Sequence, residues 1–261
     1  MDVIIVSDYE EMSDRAAEIV GSAIQEDPRL ILGLATGSTP EGLYARLIEM
    51  NQQGELDFSD VMSFNLDEYV GLDPTHEQSY RYFMNEKLFD HINIDKSNTH
   101  VPDGQAASLS EECTRYEAAI EEAGGIDLQV LGIGRDGHVG FNEPGTSLAS
   151  KTHIAALTEE TVEDNSRFFE RPQDVPRFAV TMGIQSILDA RRCLLLASGA
   201  NKAEAVRRTV EGPITSSVTA SALQMHEDTV AIIDEEAAAE LERKDYYVWV
   251  QENMARIQDR M

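Results

Sequence analysis

Cysteine, tryptophan and positive charge are all sparse in this chain. There are two cysteines and one tryptophan in 261 residues. Cys113 and Cys193 stand far apart, each in an apolar-patterned segment. They read as two buried free thiols of a reducing compartment, not as a disulfide framework. Only 21 Lys and Arg face 48 Asp and Glu, for a net charge of −27. A field of that sign excludes nucleic acid and anionic membranes as partners, because phosphate repulsion adds to self-repulsion. An anionic substrate then needs a local basic pocket. Long hydrophobic runs are absent, and the apolar stretch 3–6 is too short for a signal or a membrane span. The expectation is a cytoplasmic protein, mature as written. No internal repeat, low-complexity tract or linker interrupts the chain, so a single domain over residues 1–261 is expected.

The charge that is present is skewed further, with sixteen Arg to five Lys, and the acidic excess runs along the whole chain. A salt-rich host cytoplasm, where screening acts over a few ångströms, accounts for such a surface. An ordinary acidic protein is the alternative.

Continuous apolar runs at 3–6, 30–34, 61–65, 128–133, 178–182, 193–197 and 229–233 read as buried strands, with shorter ones at 99–101 and 152–157. Helical spacing marks 10–25, 40–50, 79–89, 109–122, 184–189 and 198–212, and two further helices are expected to close the chain. Apolar runs separated by helices imply a parallel sheet covered on both faces. The fold class is therefore α/β, with a single open, mostly parallel Rossmann-like sheet. Residues 158–177, the least apolar part of the middle, read as a mobile, lid-like excursion. The cluster from Tyr246 to Val250 reads as an apolar dock for the tail.

The stretch from Asp127 to Pro144 carries most of the chemistry. A buried strand runs into a glycine-rich turn bearing Asp136, His138 and Glu143, three groups able to move protons. Gly132, Gly134 and Gly137 fit a dinucleotide fingerprint by spacing, but that fingerprint needs a helix starting inside the glycines. Gly140, Asn142, Pro144 and Gly145 follow too closely for a long helix. A loop that presents side chains is the better reading.

A second candidate lies at 35–40, Ala-Thr-Gly-Ser-Thr-Pro, where Thr39 suits a helix N-cap and Pro40 a first helical position. Free N–H groups, Gly37 and the hydroxyls of Ser38 and Thr39 at a strand's carboxyl end can hold a phosphate. A well-capped helix with nothing bound is the competing reading. Asp67 and Glu68 are neighbours in an extended segment and point to opposite faces, so one can serve a site while the other is structural. Lys202 falls in the first turn of a helix, where a cation opposes the dipole unless an anion lies between. The remaining histidines, His76, His91, His100, His153 and His226, show no metal-ligand spacing. No metal and no cofactor are expected.

Four blocks taken together are specific: 34–40, 63–71, 132–144 and 165–169. In order, and over nearly the whole chain, they resemble the signature blocks of the glucosamine-6-phosphate deaminase family. The resemblance implies an enzyme that isomerises and deaminates glucosamine 6-phosphate to fructose 6-phosphate and ammonium, a hydrolase/isomerase of amino sugar metabolism. It implies Asp67 as the base that takes the C2 proton and returns one at C1. His138 would open the sugar ring, oriented and tuned by Asp136 and Glu143. Gly37, Ser38, Thr39, Arg167 and Lys202 would hold the phosphate. A homo-oligomer is possible. Allosterically regulated members carry basic residues in the segment after the catalytic loop, whereas this chain has His153 and Ala155 there, so activation by N-acetylglucosamine 6-phosphate is not implied. Two alternatives remain in view. A 6-phosphogluconolactonase-like hydrolase shares an Asp-Gly-His element but lacks the Asp-Glu-Tyr block and the Phe-Asn-Glu-Pro ending. A sugar-phosphate-binding regulator should carry a DNA-binding module, and a sheet that begins at Val3 leaves no room for one.

Overall fold

A computed structural model describes residues 1–258. The chain begins β1 (Asp2–Val6), α1 (Tyr9–Glu26), β2 (Ile31–Leu34), α2 (Glu41–Gln52), β3 (Met62–Asn65) and β4 (Asp67–Tyr69). There follow α3 (Tyr80–Met84), which runs on as a π-helical turn over Asn85–Phe89, then β5 (Thr99–His100), α4 (Leu109–Ala123) and β6 (Leu128–Leu131). The second half holds β7 (His153–Ala156), α5 (Glu159–Ser166), β8 (Phe178–Thr181), α6 (Ile184–Leu188), β9 (Arg192–Ala197), α7 (Ala203–Val210), β10 (Thr229–Asp234) and α8 (Lys244–Gln258).

Seven strands form one parallel sheet in the order β1-β10-β9-β6-β2-β3-β5. From β2 the chain winds outward through β3 to β5, and from β6 it winds the other way through β9 and β10. The sheet order therefore reverses between β2 and β6, and the loops leaving their carboxyl ends flank one crevice, the usual ligand position in open α/β sheets. Gly33 in β2 makes this junction possible. It pairs with Gln129 of β6, and a Cβ at Gly33 would come within 2.0 Å of the Gln129 side chain.

Each face of the sheet buries its own apolar layer. Met12, Ala16, Val20 and Ile24 of α1 pack with Leu43, Tyr44 and Leu47 of α2 on one side. Tyr116 of α4, Ile184 and Ile187 of α6 and Val206 of α7 cover the other. The apolar periodicities thus mark real helix faces. Both thiols are buried and unpaired, as the spacing of Cys113 and Cys193 implies.

Several expectations are corrected. The sheet is accompanied by a small antiparallel one, β4-β8-β7, in which Asp67 pairs with Thr181. Within residues 158–177, Thr158 caps α5, its hydroxyl accepting from the Thr161 N–H, and Pro172–Asp174 form a 3-10 turn. Thr39 is not the N-cap of α2. Pro40 takes that position in a helical conformation, and the Tyr9 hydroxyl accepts from the Gly42 N–H instead. Lys202 ends a 3-10 turn, Ala200–Lys202, that precedes α7. One helix, not two, follows β10 among the described residues, because residues 235–240 form turns. On that helix Tyr247 and Val248 pack against the core while Tyr246 and Trp249 stay exposed, so the apolar tail cluster is only half docked.

Candidate active site

The crevice between the ends of β2 and β6 opens into a cleft of about 560 Å³, a size suited to a small metabolite. Asp67, His138, Gly37, Ser38, Thr39, Arg167 and Lys202 all line it. Asp136 and Glu143 do not; they lie behind His138.

Asp67 is delivered by β4, directly after β3, and is 5 % exposed. Burial, reinforced by the neighbouring charge of Glu68, pushes its carboxyl up to about 8, and His138 pulls in the opposite direction. Glu68 points away, as alternation requires. Its oxygens accept from the N–H groups of Tyr69, Tyr80 and Arg81 at 2.8, 2.9 and 3.0 Å, so it ties β4 to the start of α3.

The loop after β6 is shaped by its glycines. The Gly134 N–H donates to the His138 carbonyl at 2.9 Å, and the Gly137 N–H donates to the Gly134 carbonyl at 3.1 Å. A Cβ on Gly134 would fall 2.4 Å from the imidazole. Gly137 has φ +90°, a conformation other residues rarely take, and a Cβ there would meet Val218 at 2.5 Å. No helix follows these glycines before β7, so the dinucleotide reading fails on structure as well as on spacing.

His138 Nδ1 lies 2.7 Å from Asp136 Oδ1 and 3.5 Å from Glu143 Oε2. The nearer contact is an ion pair without linear hydrogen-bond geometry. Burial lowers the basicity of the ring, but the contact with Asp136 and the charge of Glu143 outweigh it and hold the imidazole above its usual value. Asp136, despite burial, is held below the usual carboxylate range by that same histidine. Glu143 Oε1 also accepts from the Thr158 N–H at 3.2 Å, which links the triad to the cap of α5. Ligand atoms of Asp136, His138 and Glu143 all lie within 4.8 Å of one another, and the pairing around Nδ1 accounts for that closeness. With Nδ1 turned toward carboxylates, Nε2 is the nitrogen left for a ligand.

Two cations line the same cleft. Lys202 Nζ donates to the Ile133 carbonyl at 2.7 Å, and burial lowers its pKa. Arg167, at the C-cap of α5, lies over the Phe168 ring at 4.7 Å. The β2–α2 turn also lines the cleft, with Gly37 at φ +90° and no side-chain cap on α2.

Three residues are not singled out individually by the sequence. Tyr80, whose spacing reads as an aromatic core position, also lines the cleft, stacked against Phe141 and close to Tyr69. Ser79 caps its helix, and the Tyr80 N–H is tied to Glu68, a contact that only the fold supplies. Thr181 accepts from the Phe141 N–H at 3.0 Å while pairing with Asp67 in the small sheet, so one residue joins both halves of the acid–base machinery. Asn142 is fully buried and donates to the carbonyls of Val139 and Met182. Asn142 falls within the 132–144 block, whereas nothing local in sequence marks Thr181.

Residues 8–232 match the family described as glucosamine-6-phosphate isomerases/6-phosphogluconolactonase. A glucosamine-6-phosphate deaminase of Thermoanaerobacter sp. (strain X514) is 56% identical over 245 residues, 94% of this chain and 97% of that one. The enzyme of that name from Clostridioides difficile (strain 630) is 55% identical, over 94% of this chain and 99% of its own. Among solved structures, a monomeric glucosamine-6-phosphate deaminase superposes with a TM-score of 0.91 at 48% identity, covering 92% of this chain and all of that one. A 6-phosphogluconolactonase from Leishmania guyanensis gives 0.71 at 21% identity, a likeness of fold.

Proposed function

The chain belongs to the glucosamine-6-phosphate isomerase/6-phosphogluconolactonase family, and on that footing we propose that it converts glucosamine 6-phosphate to fructose 6-phosphate and ammonium. The observation that carries this is an acid–base pair, Asp67 and His138, facing one cleft that is also lined by Arg167 and Lys202 in a protein of net charge −27. The lactonase alternative shares the fold at much lower identity.

The phosphate sits in the turn of Gly37, Ser38 and Thr39, where backbone N–H groups and hydroxyls face the cleft, and Arg167 and Lys202 complete the charge balance. Ring opening needs a proton on the ring oxygen. His138 supplies it through Nε2, since Asp136 and Glu143 hold Nδ1 and stabilise the imidazolium. Asp67 then removes the C2 proton of the open aldehyde and delivers one to C1, while O1 takes up one further proton, leaving an iminium at C2. That iminium adds one water and releases ammonium, leaving the C2 ketone. A carboxylate lifted to about 8 suits this shuttle, because it accepts and returns a proton with little free-energy difference near neutrality.

Within one domain spanning the chain, α5 and the 3-10 turn act as a lid over the cleft, because they carry Arg167 and touch the triad through Thr158. The buried thiols suit a cytoplasmic site, and the acidic surface suits a salt-rich one. Among the described residues no helix is long and apolar enough to cross a membrane. The test is incubation with glucosamine 6-phosphate, without added metal or nucleotide, with ammonium and fructose 6-phosphate measured. Absence of both products at low and at molar KCl refutes the assignment.

A further inference from the structure

The cleft holds one more cation, Arg135, which comes from the catalytic loop immediately before Asp136. One contact locates its guanidinium: Arg135 Nη1 is 3.0 Å from Asp164 Oδ1. The loop that carries it is itself tied to the subsite, because the Lys202 ammonium is bonded to the carbonyl of Ile133, two residues earlier. Asp164 lies three residues before Arg167 at the end of α5, a spacing at which helical side chains are neighbours. Arg135 lines the same cleft as the two cations assigned to the substrate phosphate, and burial, then the charges of both arginines, lower the pKa of the Lys202 ammonium. Asp164 lines the same cleft, and an unpaired carboxylate there would repel a dianion.

The geometry points to Arg135 as a third cation of the phosphate subsite, held by Asp164 while the cleft is empty and transferred to the phosphate when a phosphomonoester binds. This rests on the proposed placement of the phosphate at Arg167 and Lys202. The Arg135–Asp164 pair is exposed on both sides, and ion pairs of that kind are weak enough to be exchanged readily. A phosphate dianion is the stronger partner, since the planar guanidinium can donate two parallel bonds to its oxygens. Asp164, near the cleft mouth, turns to solvent. The exchange also draws the catalytic loop and α5 toward the same ligand, so phosphate binding is communicated to His138 through the loop that carries both residues.

Calorimetric titration of the full chain with inorganic phosphate, at fixed ionic strength, tests the assignment. The variants are Arg135→Gln, Asp164→Asn, Arg167→Gln, Lys202→Gln and Arg15→Gln. Arg15 pairs with Glu18 on the exposed face of α1, so its loss makes the same change in net charge away from the cleft. Arg135→Gln is expected to weaken phosphate binding about tenfold, and to raise KM for glucosamine 6-phosphate. Asp164→Asn is expected to tighten binding, and Arg15→Gln to change it by less than about twofold. Binding by Arg135→Gln that matches Arg15→Gln, while Arg167→Gln and Lys202→Gln are weakened, overturns the role of Arg135 and leaves the subsite standing. Failure of the unaltered protein to bind phosphate at all removes the subsite itself. Urea midpoints for each variant separate loss of binding from loss of folding.

Discussion

At the residue scale the site depends on the contrast between two buried groups. Asp67 has its carboxyl lifted by burial, and His138 has its imidazole lifted by carboxylates. Asp67→Asn and His138→Gln should each reduce kcat/KM by roughly 10²–10⁴-fold, measured by ammonium release. In the unaltered enzyme kcat/KM should rise with pH toward about 8 as Asp67 ionises, opposed by the loss of the His138 proton, which its carboxylate neighbours shift above the usual imidazole range. Stability runs the other way. A carboxyl whose folded pKa is raised contributes most below its unfolded pKa, and that contribution is lost as pH rises through the folded value. Asp67→Asn should therefore raise Tm, by a margin that grows from about pH 4 to about pH 8 and then levels off. A gain that is flat with pH would contradict the burial of an ionising group at this position.

At the scale of elements, the catalytic loop is held by backbone geometry more than by side-chain packing. Gly137 combines φ +90° with a close approach to Val218. Gly137→Ala should destabilise the fold by about 1–3 kcal/mol, read from urea unfolding, and should lower kcat because His138 moves with the turn. Thr181 joins β8 to both β4 and the loop. Thr181→Val keeps the shape but leaves the Phe141 N–H without a partner, at a cost of about 1–3 kcal/mol. Thr181→Ser should recover most of the lost kcat. Rescue by Ser would assign the effect to the hydroxyl, whereas equal loss in both variants would assign it to packing.

For the whole molecule, charge is the leading variable. Repulsion within a protein of net charge −27 is long-ranged at low salt, where the screening length is about 30 Å at 0.01 M, and short-ranged at about 1 M, where it is about 3 Å. Tm should therefore climb between those KCl concentrations, as followed by circular dichroism. A Tm independent of salt would mean that repulsion among the unpaired acidic groups does not limit the stability of the fold.

The sequence by itself determined the parallel sheet, because runs such as 30–34 and 193–197 carry no polar side chain and can only be buried on both faces. It also determined the acid–base loop, since Asp136, His138 and Glu143 lie within eight consecutive residues and their grouping is local. Tertiary structure alone decided the rest. The π-helical end of α3, the small sheet and the helix inside 158–177 depend on contacts with distant segments, such as the β8 ladder and the link from Glu143 to Thr158. Thr181 and Tyr80 carry no motif, and their places follow from the ladder with Asp67 and the tie to Glu68, both supplied by residues elsewhere in the chain. The meeting of Asp67 with His138 is of the same kind. They are brought to one cleft because the order of the sheet reverses between β2 and β6, and strand order is set by the global packing of helices on two faces, which no local pattern records.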